Sequence, residues 1–155
     1  MNGGAKLVVV NLVALGLFVI DRSLKMIFFP LSNEGGIVVL GSWWQLKFAS
    51  NFGIAFGWPL SGLWFWIIYL PLIWGLIWWL VKSYQSKSGL EIGALTIILA
   101  GAGSNILDRF KYGFVVDYID IKYFTVFNLA DAMIFIGVAI LLISIYLRKE
   151  EDHGV

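Results

Sequence analysis

Two aspartates in apolar surroundings are the first candidates for chemistry in this sequence of 155 residues. Asp117 lies between valines, a tyrosine and an isoleucine in segment 115–119, and Asp131 opens a long apolar run. An apolar environment does not accept a carboxylate without a partner or a function. Two close carboxylates that share one proton supply the acid and the base needed to hydrolyse an amide. Asp117 and Asp131 are therefore the candidate acid–base pair.

The absence of other reactive side chains strengthens that interpretation. The chain has no cysteine, which excludes disulfides, thiolate nucleophiles and cysteine-ligated metal sites. His153 is the only histidine, and it belongs to a charged tail that we expect to be solvated. A serine–histidine pair and a histidine metal cluster are excluded as well. The groups that remain available for catalysis are carboxylates, hydroxyls, amides, lysines and arginines.

The composition places these residues in a membrane protein. Hydrophobic residues make up 60% of the chain, and only 14% of the residues are charged. Soluble domains carry about a quarter charged residues, and a fold this small could not bury so much apolar surface. The net charge of +1 gives no basic surface for nucleic acid, so no nucleic-acid partner is expected.

Four apolar segments predict four transmembrane helices, because an unpaired backbone is not tolerated in lipid. They cover about residues 7–29, 63–81, 92–107 and 129–147, close to the roughly 20 residues that cross a bilayer. The first segment carries charges and lacks a small-residue cleavage site, so we interpret it as a retained span and not a signal peptide. We predict an all-α membrane protein with a single domain, residues 1–155.

The connection of residues 30–62 is predicted to lie outside the membrane. Two glycines precede the β-prone run of residues 37–40, which indicates a hairpin or short strands. Lysines and arginines near the span ends favour the side of the termini by five to four. Because cytoplasmic loops carry more of these residues, both termini are predicted to be cytoplasmic.

This topology brings the polar residues of the spans to one membrane face, whichever way the protein is oriented. They are Asp21, Arg22, Lys25, Asn51, Asn105, Asp108, Arg109, Asp117, Asn128 and Asp131. Ionisable groups at membrane depth usually mark a function or a pairing partner.

Several of these residues also have a structural interpretation. Asp21–Lys25 and Asp108–Arg109 are predicted to be ion pairs that hold the helices together. Asn128 and Asp131 fit a helix cap followed by an acidic first-turn residue as well as they fit a catalytic site. Asp120 and Glu34 are expected to be solvated loop charges.

Four motifs in this order resemble those of the lipoprotein signal peptidases, the bacterial type II signal peptidases. They are residues 21–25 (DRSLK), 51–57 (NFGIAFG), 101–118 (GAGSNILDRFKYGFVVDY) and 127–131 (FNLAD). The resemblance covers nearly the whole chain. Two positions depart from the family pattern: Ser104 replaces a frequent glycine, and Arg22 replaces a frequent glutamine.

The resemblance implies an aspartyl endopeptidase that removes signal peptides from prolipoproteins before a diacylglyceryl-modified cysteine, without metal or cofactor. It implies catalysis by Asp117 and Asp131, with Asp21, Lys25 and Asp108 as structural support. The expected substrate-binding residues are Asn51, Gly101, Asn105, Arg109, Asn128 and Ala130. It also implies a small extracytoplasmic sheet in the first outer loop and a mobile flap. We expect a monomer in the bacterial cytoplasmic membrane, with its site near the extracytoplasmic face.

Two other classes of function remain open from the sequence. A transporter or channel would use Asp21, Lys25, Asp108 and Arg109 as a polar pathway, although such a pathway needs polar residues at both depths. A structural membrane subunit would use its carboxylates only to cap and pair. A presenilin-like peptidase would need more spans and a Gly-x-Gly-Asp motif.

Overall fold

The computed structural model describes residues 3–33, 36–53, 62–86 and 88–153. Its long helices are α1 (Gly3–Phe28), α2 (Gly62–Ser86), α3 (Gly89–Tyr112) and α4 (Leu129–His153). A short 3-10 helix, Phe29–Asn33, follows α1, and the strands are β1 (Ile37–Leu40), β2 (Trp44–Asn51) and β3 (Val115–Ile121).

The prediction of four membrane-spanning helices is confirmed. Each helix is long and apolar enough to cross a membrane, and a helix of 24 residues, the shortest of them, is about 36 Å long. Helix α3 exceeds its predicted segment by the most residues in total, three at its start and five at its end. Its last turns carry Asp108, Arg109 and Lys111, so they do not resemble a span in sequence.

Helix α3 is the centre of the bundle. It packs against α1, α2 and α4, and half of its most apolar window is buried, compared with 6% for α2. Gly137 of α4 meets α3 so closely that an added Cβ would lie 2.5 Å from Ile98 Cγ1. Small residues of this kind let helix backbones approach in a membrane, where packing replaces the hydrophobic effect between helices.

The outer surfaces of the helices expose large apolar side chains. Trp74 on α2 and Phe135 on α4 are about three-quarters exposed, and many leucines and isoleucines accompany them. A water-soluble monomer does not expose apolar surface on this scale. These exposed apolar faces are therefore expected to contact lipid. Helix α2 continues through Pro71, as a membrane helix can.

The three strands form one antiparallel sheet in the order β1-β2-β3. Strands β1 and β2 come from the connection between α1 and α2, so the sheet predicted in that connection is confirmed. Strand β3 comes from the connection between α3 and α4, which places Ala49 opposite Asp117. The sequence missed this strand because carboxylates at 117 and 120 interrupt its apolar pattern and its partner is far away along the chain.

The sheet also corrects the interpretation of Asp120. Its carboxylate lies 2.6 Å from Lys47 Nζ on the neighbouring strand, so it is a paired residue and not a free loop charge. Glu34, which was given the same interpretation, lies outside the described residues, as does most of the segment that follows Asn51.

Strand β3 connects the C-terminal end of α3 to the N-terminal end of α4. Gly113 ends α3 in the left-handed region (φ 81°), and its N–H donates to the Arg109 carbonyl at 3.0 Å. Beyond β3, Phe127 forms a backbone bridge with Ile119 that returns the chain to the start of α4. This closed path places Asp117 and Asp131 beside the same end of the bundle.

Candidate active site

Asp117 is a buried carboxylate held by two amides. It lies on β3 and is 1% exposed. Asn51 Nδ2, at the end of β2, donates to its Oδ2 at 3.0 Å, and Asn128 Nδ2 donates to its Oδ1 at 2.6 Å. Both donors are neutral. Among the residues described, Asp117 also forms no ion pair.

Asp131 lies in the first turn of α4. Asn105 Nδ2 donates to its Oδ1 at 2.8 Å, and the Asn128 backbone N–H donates to its Oδ2 at 3.2 Å. The Asp131 N–H in turn donates to Asn128 Oδ1 at 2.8 Å. This reciprocal arrangement is a capping box, so the capping interpretation is confirmed. It also places the carboxylate at the positive end of a helix.

Asn128 is the residue that joins the two aspartates. Its side chain is fully buried: the amide nitrogen donates to the Asp117 carboxylate, and the amide oxygen accepts from the backbone N–H of Asp131. The same nitrogen lies 3.2 Å from Asn105 Oδ1 and 3.3 Å from the Val116 carbonyl. The hydrogen bonds that cap α4 therefore also hold the two aspartates of the candidate site, so the capping and catalytic interpretations do not exclude each other.

The environment of Asp117 favours its protonated form. Burial raises its pKa to about 7, and the nearby Asp131 carboxylate acts in the same direction. The hydrogen bonds from Asn51 and Asn128 oppose this rise. Near neutral pH, the pair can therefore hold one proton and one negative charge, which is the state that acid–base catalysis requires.

A buried ionic cluster lies directly behind the pair. Lys25 Nζ lies 3.0 Å from Asp21 Oδ2 and 2.9 Å from Asp108 Oδ2, and Arg22 also pairs with Asp108. The predicted Asp21–Lys25 pair is confirmed. The predicted Asp108–Arg109 pair is wrong, because adjacent residues on a helix point in different directions and Asp108 faces α1 instead.

Asp21 extends this cluster to α3, β3 and α4. It accepts hydrogen bonds from Ser104 Oγ at 2.5 Å, from the Tyr118 hydroxyl at 2.9 Å and from the Ala130 N–H at 3.1 Å. Burial raises the pKa of the Tyr118 phenol, which keeps it a donor. Tyr118 was missed as a partner; its signal was strand alternation, which places it on the face opposite Asp117.

The two departures from the family pattern meet in this cluster. Arg22 Nη1 donates to the Ser104 carbonyl at 3.1 Å, and the Ser104 hydroxyl donates to Asp21. Ser104 is fully buried, so its side chain occupies a packed polar position between α1 and α3. The serine is accommodated there by hydrogen bonding.

The cluster also orients one of the amides at the aspartates. Lys25 Nζ donates to Asn105 Oδ1 at 2.7 Å, and Asn105 Nδ2 donates to Asp131. An ammonium group can only donate, so it must face the amide oxygen and leaves the amide nitrogen facing the carboxylate. Lys25 thereby fixes which end of Asn105 faces Asp131.

Arg109 connects the segment after β2 to the helices. Its Nη2 donates to the Gly53 carbonyl at 2.5 Å, and its guanidinium carbon lies 4.5 Å from the centre of the Phe65 ring on α2. Gly53 N–H also donates to Asn51 Oδ1 at 3.0 Å. Arg109 therefore positions the segment that carries Asn51. Residues 54–61, which include the rest of the 51–57 motif, lie outside the described residues.

Gly101 and Ala130 are buried where α3 and α4 touch. A Cβ added to Gly101 would lie 2.5 Å from the Ala130 carbonyl oxygen, and the Ala130 N–H is bonded to Asp21. In the structure, these two small residues allow the backbones of α3 and α4 to pack closely. In the described part of the chain, no group of three histidine, aspartate or glutamate residues is arranged to hold a metal ion.

Comparison with known proteins decides the family. The model of the family described as signal peptidase (SPase) II matches residues 13–147. The chain belongs to the signal peptidase II family. It is therefore a multi-pass membrane peptidase by family and by architecture.

Relatives within this family cover most of the chain. A lipoprotein signal peptidase of Chlorobaculum parvum is 36% identical over 147 residues, covering 84% of this chain and 90% of its own. One from Halothermothrix orenii is 29% identical, covering 94% of this chain and 99% of its own.

A solved structure has the same architecture. It is described as a bacterial membrane enzyme determined by the in meso method at 2.3 Å resolution. It superimposes with a TM-score of 0.77 at 27% identity and covers 95% of this chain and 92% of its own. The fold predicted for a signal peptidase II is thereby confirmed.

Proposed function

We propose that this signal peptidase II uses Asp117 and Asp131 as its catalytic pair to remove signal peptides from prolipoproteins. Family membership supplies the reaction, and the residue assignment depends on one observation. Asn128 donates to both carboxylates, from its side-chain amide to Asp117 and from its backbone N–H to Asp131, so two aspartates 14 positions apart share a single site.

The pair can perform both proton transfers of amide hydrolysis. One ionised carboxylate removes a proton from water as the water oxygen attacks the scissile carbonyl carbon, and the protonated carboxyl gives its proton to the leaving nitrogen. The raised pKa of Asp117 supports one retained proton near neutral pH. The two groups titrate as a unit, so acid and base are roles of the pair.

The amides and Arg109 are proposed to position the substrate and the carboxylates. Asn51, Asn105 and Asn128 each carry polar groups at the aspartates, and Arg109 holds the backbone beside Asn51. Gly101 and Ala130 contribute through the shape of the α3–α4 contact. Asp21, Lys25 and Asp108 support the site from behind. No metal or cofactor is proposed.

The proposed substrate is a prolipoprotein with a diacylglyceryl cysteine, cut before that cysteine. Asp131 lies at the end of a span and Asp117 in the adjoining sheet, so a peptide anchored in lipid by its acyl chains could reach both. Besides the substrate, the proposed partner is the membrane lipid around the helices. The active form is proposed to be a monomer. The protein would lie in the bacterial cytoplasmic membrane, with cytoplasmic termini and an extracytoplasmic site.

A channel or transporter is less well supported by the contacts. Asp21, Lys25 and Asp108 bond to one another and to packed backbone, which leaves no polar path along the described helices. In the middle of the bundle, α3 and α4 pack through the apolar side chains of Ala94, Leu95, Ile98 and Leu141, and a polar pathway would have to cross this region. A purely structural subunit would not need the raised pKa of Asp117.

The test is cleavage of two precursors by membranes that contain the wild-type chain or Asp131→Asn. One precursor carries a diacylglyceryl cysteine, and the other has the same peptide without the lipid. The proposal predicts cleavage of the lipidated precursor alone, and only by the wild type. Cleavage of the lipidated precursor by Asp131→Asn would disprove the catalytic assignment. Equal cleavage of both precursors by the wild type would disprove the substrate assignment.

A further inference from the structure

A polar cleft lies at the end of the bundle opposite the aspartates. It encloses about 320 Å³ between the end of α2, the start of α3 and the end of α4. Its lining includes Trp79, Lys82, Gln85, Glu91 and Arg148. Ligand pockets begin at roughly 300 Å³, so this volume suits a small polar group such as a lipid headgroup and not a whole lipid.

Among the described residues of this lining, the one acidic side chain is already neutralised. Glu91 is 2% exposed, and its Oε2 accepts from Ser83 Oγ at 2.7 Å. Its Oε1 lies 2.6 Å from Arg148 Nη2, which ties α4 to α3. Arg148 is half-exposed, so part of its guanidinium remains available on the cleft side.

Two further donors in the lining, Lys82 and Gln85, have no hydrogen-bond or ion-pair partner among the described residues. Lys82 forms no ion pair with any residue of the described ranges, and its Nζ lies 5.9 Å from the centre of the Trp78 ring. The Gln85 amide likewise makes no hydrogen bond within those ranges. With Glu91 paired, the described lining keeps one unpaired positive charge, Lys82, and donors from Gln85 and Arg148.

The surroundings of the cleft belong to a membrane interface. It lies at the ends of helices that cross the bilayer, and Trp78 and Val81, next to Lys82, are more than half exposed. Tryptophans at this depth and lysines at helix ends reach toward the headgroups. An anion bound here can therefore carry acyl chains that extend along the exposed face of α2.

We propose that this cleft binds the phosphate of an anionic lipid, in the leaflet opposite the one that borders the catalytic pair. Lys82 and Arg148 supply charge to the phosphate oxygens, and Gln85 supplies a neutral donor. Because Arg148 and Glu91 connect α3 and α4, an occupied cleft would stabilise the bundle at the end distant from the aspartates. The proposal concerns binding and does not depend on the catalytic assignment.

The test is lipid binding by the purified full-length protein in neutral detergent, measured by native mass spectrometry and by thermal unfolding. Phosphatidylglycerol is compared with phosphatidylcholine and with inorganic phosphate alone. The variants are Lys82→Gln and, as a matched control, Lys149→Gln, which removes the same charge at the same end but does not line the cleft. Unfolding without added lipid shows whether each variant is folded.

The proposal predicts that phosphatidylglycerol binds more tightly than phosphatidylcholine and raises the unfolding temperature. Lys82→Gln should weaken this binding about fivefold, as expected for one lysine near an anionic lipid, whereas Lys149→Gln should weaken it less than twofold. Equal effects of the two variants, or equal binding of the two lipids, would overturn the site. Stabilisation by inorganic phosphate as large as that by the lipid would identify free phosphate as the ligand and overturn the lipid assignment.

Discussion

At the scale of single residues, the site is a set of amides that fix two carboxylates. Asn51 and Asn128 donate to Asp117, and Asn105 donates to Asp131. Each amide presents its nitrogen to a carboxylate and its oxygen to a donor elsewhere in the structure. The orientation of every amide is thereby determined, and the aspartates have little freedom to turn away from each other.

The pH dependence of cleavage follows from the raised pKa of Asp117. As the pH rises through about 7, the pair loses its retained proton, and kcat/KM should fall. The Asn51 donor stabilises the ionised form, so Asn51→Ala should raise this pKa further. A hydrogen bond to a charged group is equivalent to about one pKa unit, so the alkaline limb should move up by roughly that amount.

The measurement is a profile of kcat/KM against pH for the wild type, Asn51→Ala and Ser50→Ala. Ser50 is the exposed neighbour on the same strand, and its substitution should leave the alkaline limb in place. A limb that moves to lower pH in Asn51→Ala would contradict this assignment of the proton.

The ionic cluster makes a separate prediction about stability. Lys25→Met removes the cation between two fully buried carboxylates and leaves Asp21 without its ammonium partner. Removing one partner of a buried ion pair costs about 3–5 kcal/mol, so the unfolding temperature in detergent should fall strongly. Lys111→Met, at an exposed position on α3, should change it little. Equal unfolding temperatures for the two variants would show that the cluster does not support the fold.

At the scale of elements, the contact between α3 and α4 sets the distance between the parts of the site. Helix α3 carries Asn105 and α4 carries Asp131, and the two backbones meet at Gly101 and Ala130. Any change that separates these helices would move the amide away from its carboxylate. Packing at Gly101 should therefore affect the proposed catalytic role of Asp131.

Alanine substitutions at two glycines of α3 test this link. In Gly101→Ala the new Cβ would approach the Ala130 carbonyl oxygen to 2.5 Å, whereas at Gly103 nothing lies within 4 Å. Overpacking costs about 1–3 kcal/mol, so Gly101→Ala should lower both the unfolding temperature and kcat. Gly103→Ala should retain full activity and be slightly stabilised, since alanine favours a helix. The idea fails if the two variants behave alike.

The elements also show what the sequence could predict and what it could not. Four long apolar segments predicted four spans, because hydropathy and backbone bonding act locally along the chain. Strand β3 escaped prediction, because its pairing with β2 is a contact between distant segments that local pattern does not encode. The Asp108–Arg109 pair was wrong for the same reason: the partner of Asp108 is on α1, more than 80 positions away.

At the scale of the whole molecule, the polar residues divide between two ends. The aspartates, their amides and the ionic cluster occupy one end, and the cleft with Glu91 and Arg148 occupies the other. The apolar faces between them fit lipid. The predicted orientation assigns the aspartates to the extracytoplasmic side and the cleft to the cytoplasmic side.

Single cysteines can test this orientation directly, because the chain has none of its own. Thr125 lies just before α4, and Lys149 lies near its other end; both are exposed. In intact cells, a membrane-impermeant thiol reagent should label Thr125→Cys and leave Lys149→Cys unlabelled until the membrane is opened. The reverse pattern would invert the topology and move the active site to the cytoplasmic face.

The most direct test of the catalytic pair is a kinetic comparison of purified Asp117→Asn, Asp131→Asn, the double variant and Asp120→Asn on a diacylated precursor. Each of the first two should lower kcat by about 10²–10⁴-fold or more, as loss of acid–base catalysis does. Because the two groups act as a unit, the double variant should lose no more than either single one. Asp120→Asn, three positions further along β3, should stay within about twofold of wild type, because Asp120 forms a partly exposed ion pair with Lys47. Activity above about one-tenth of wild type in either single variant would contradict the account. Losses that multiply in the double variant would contradict it as well.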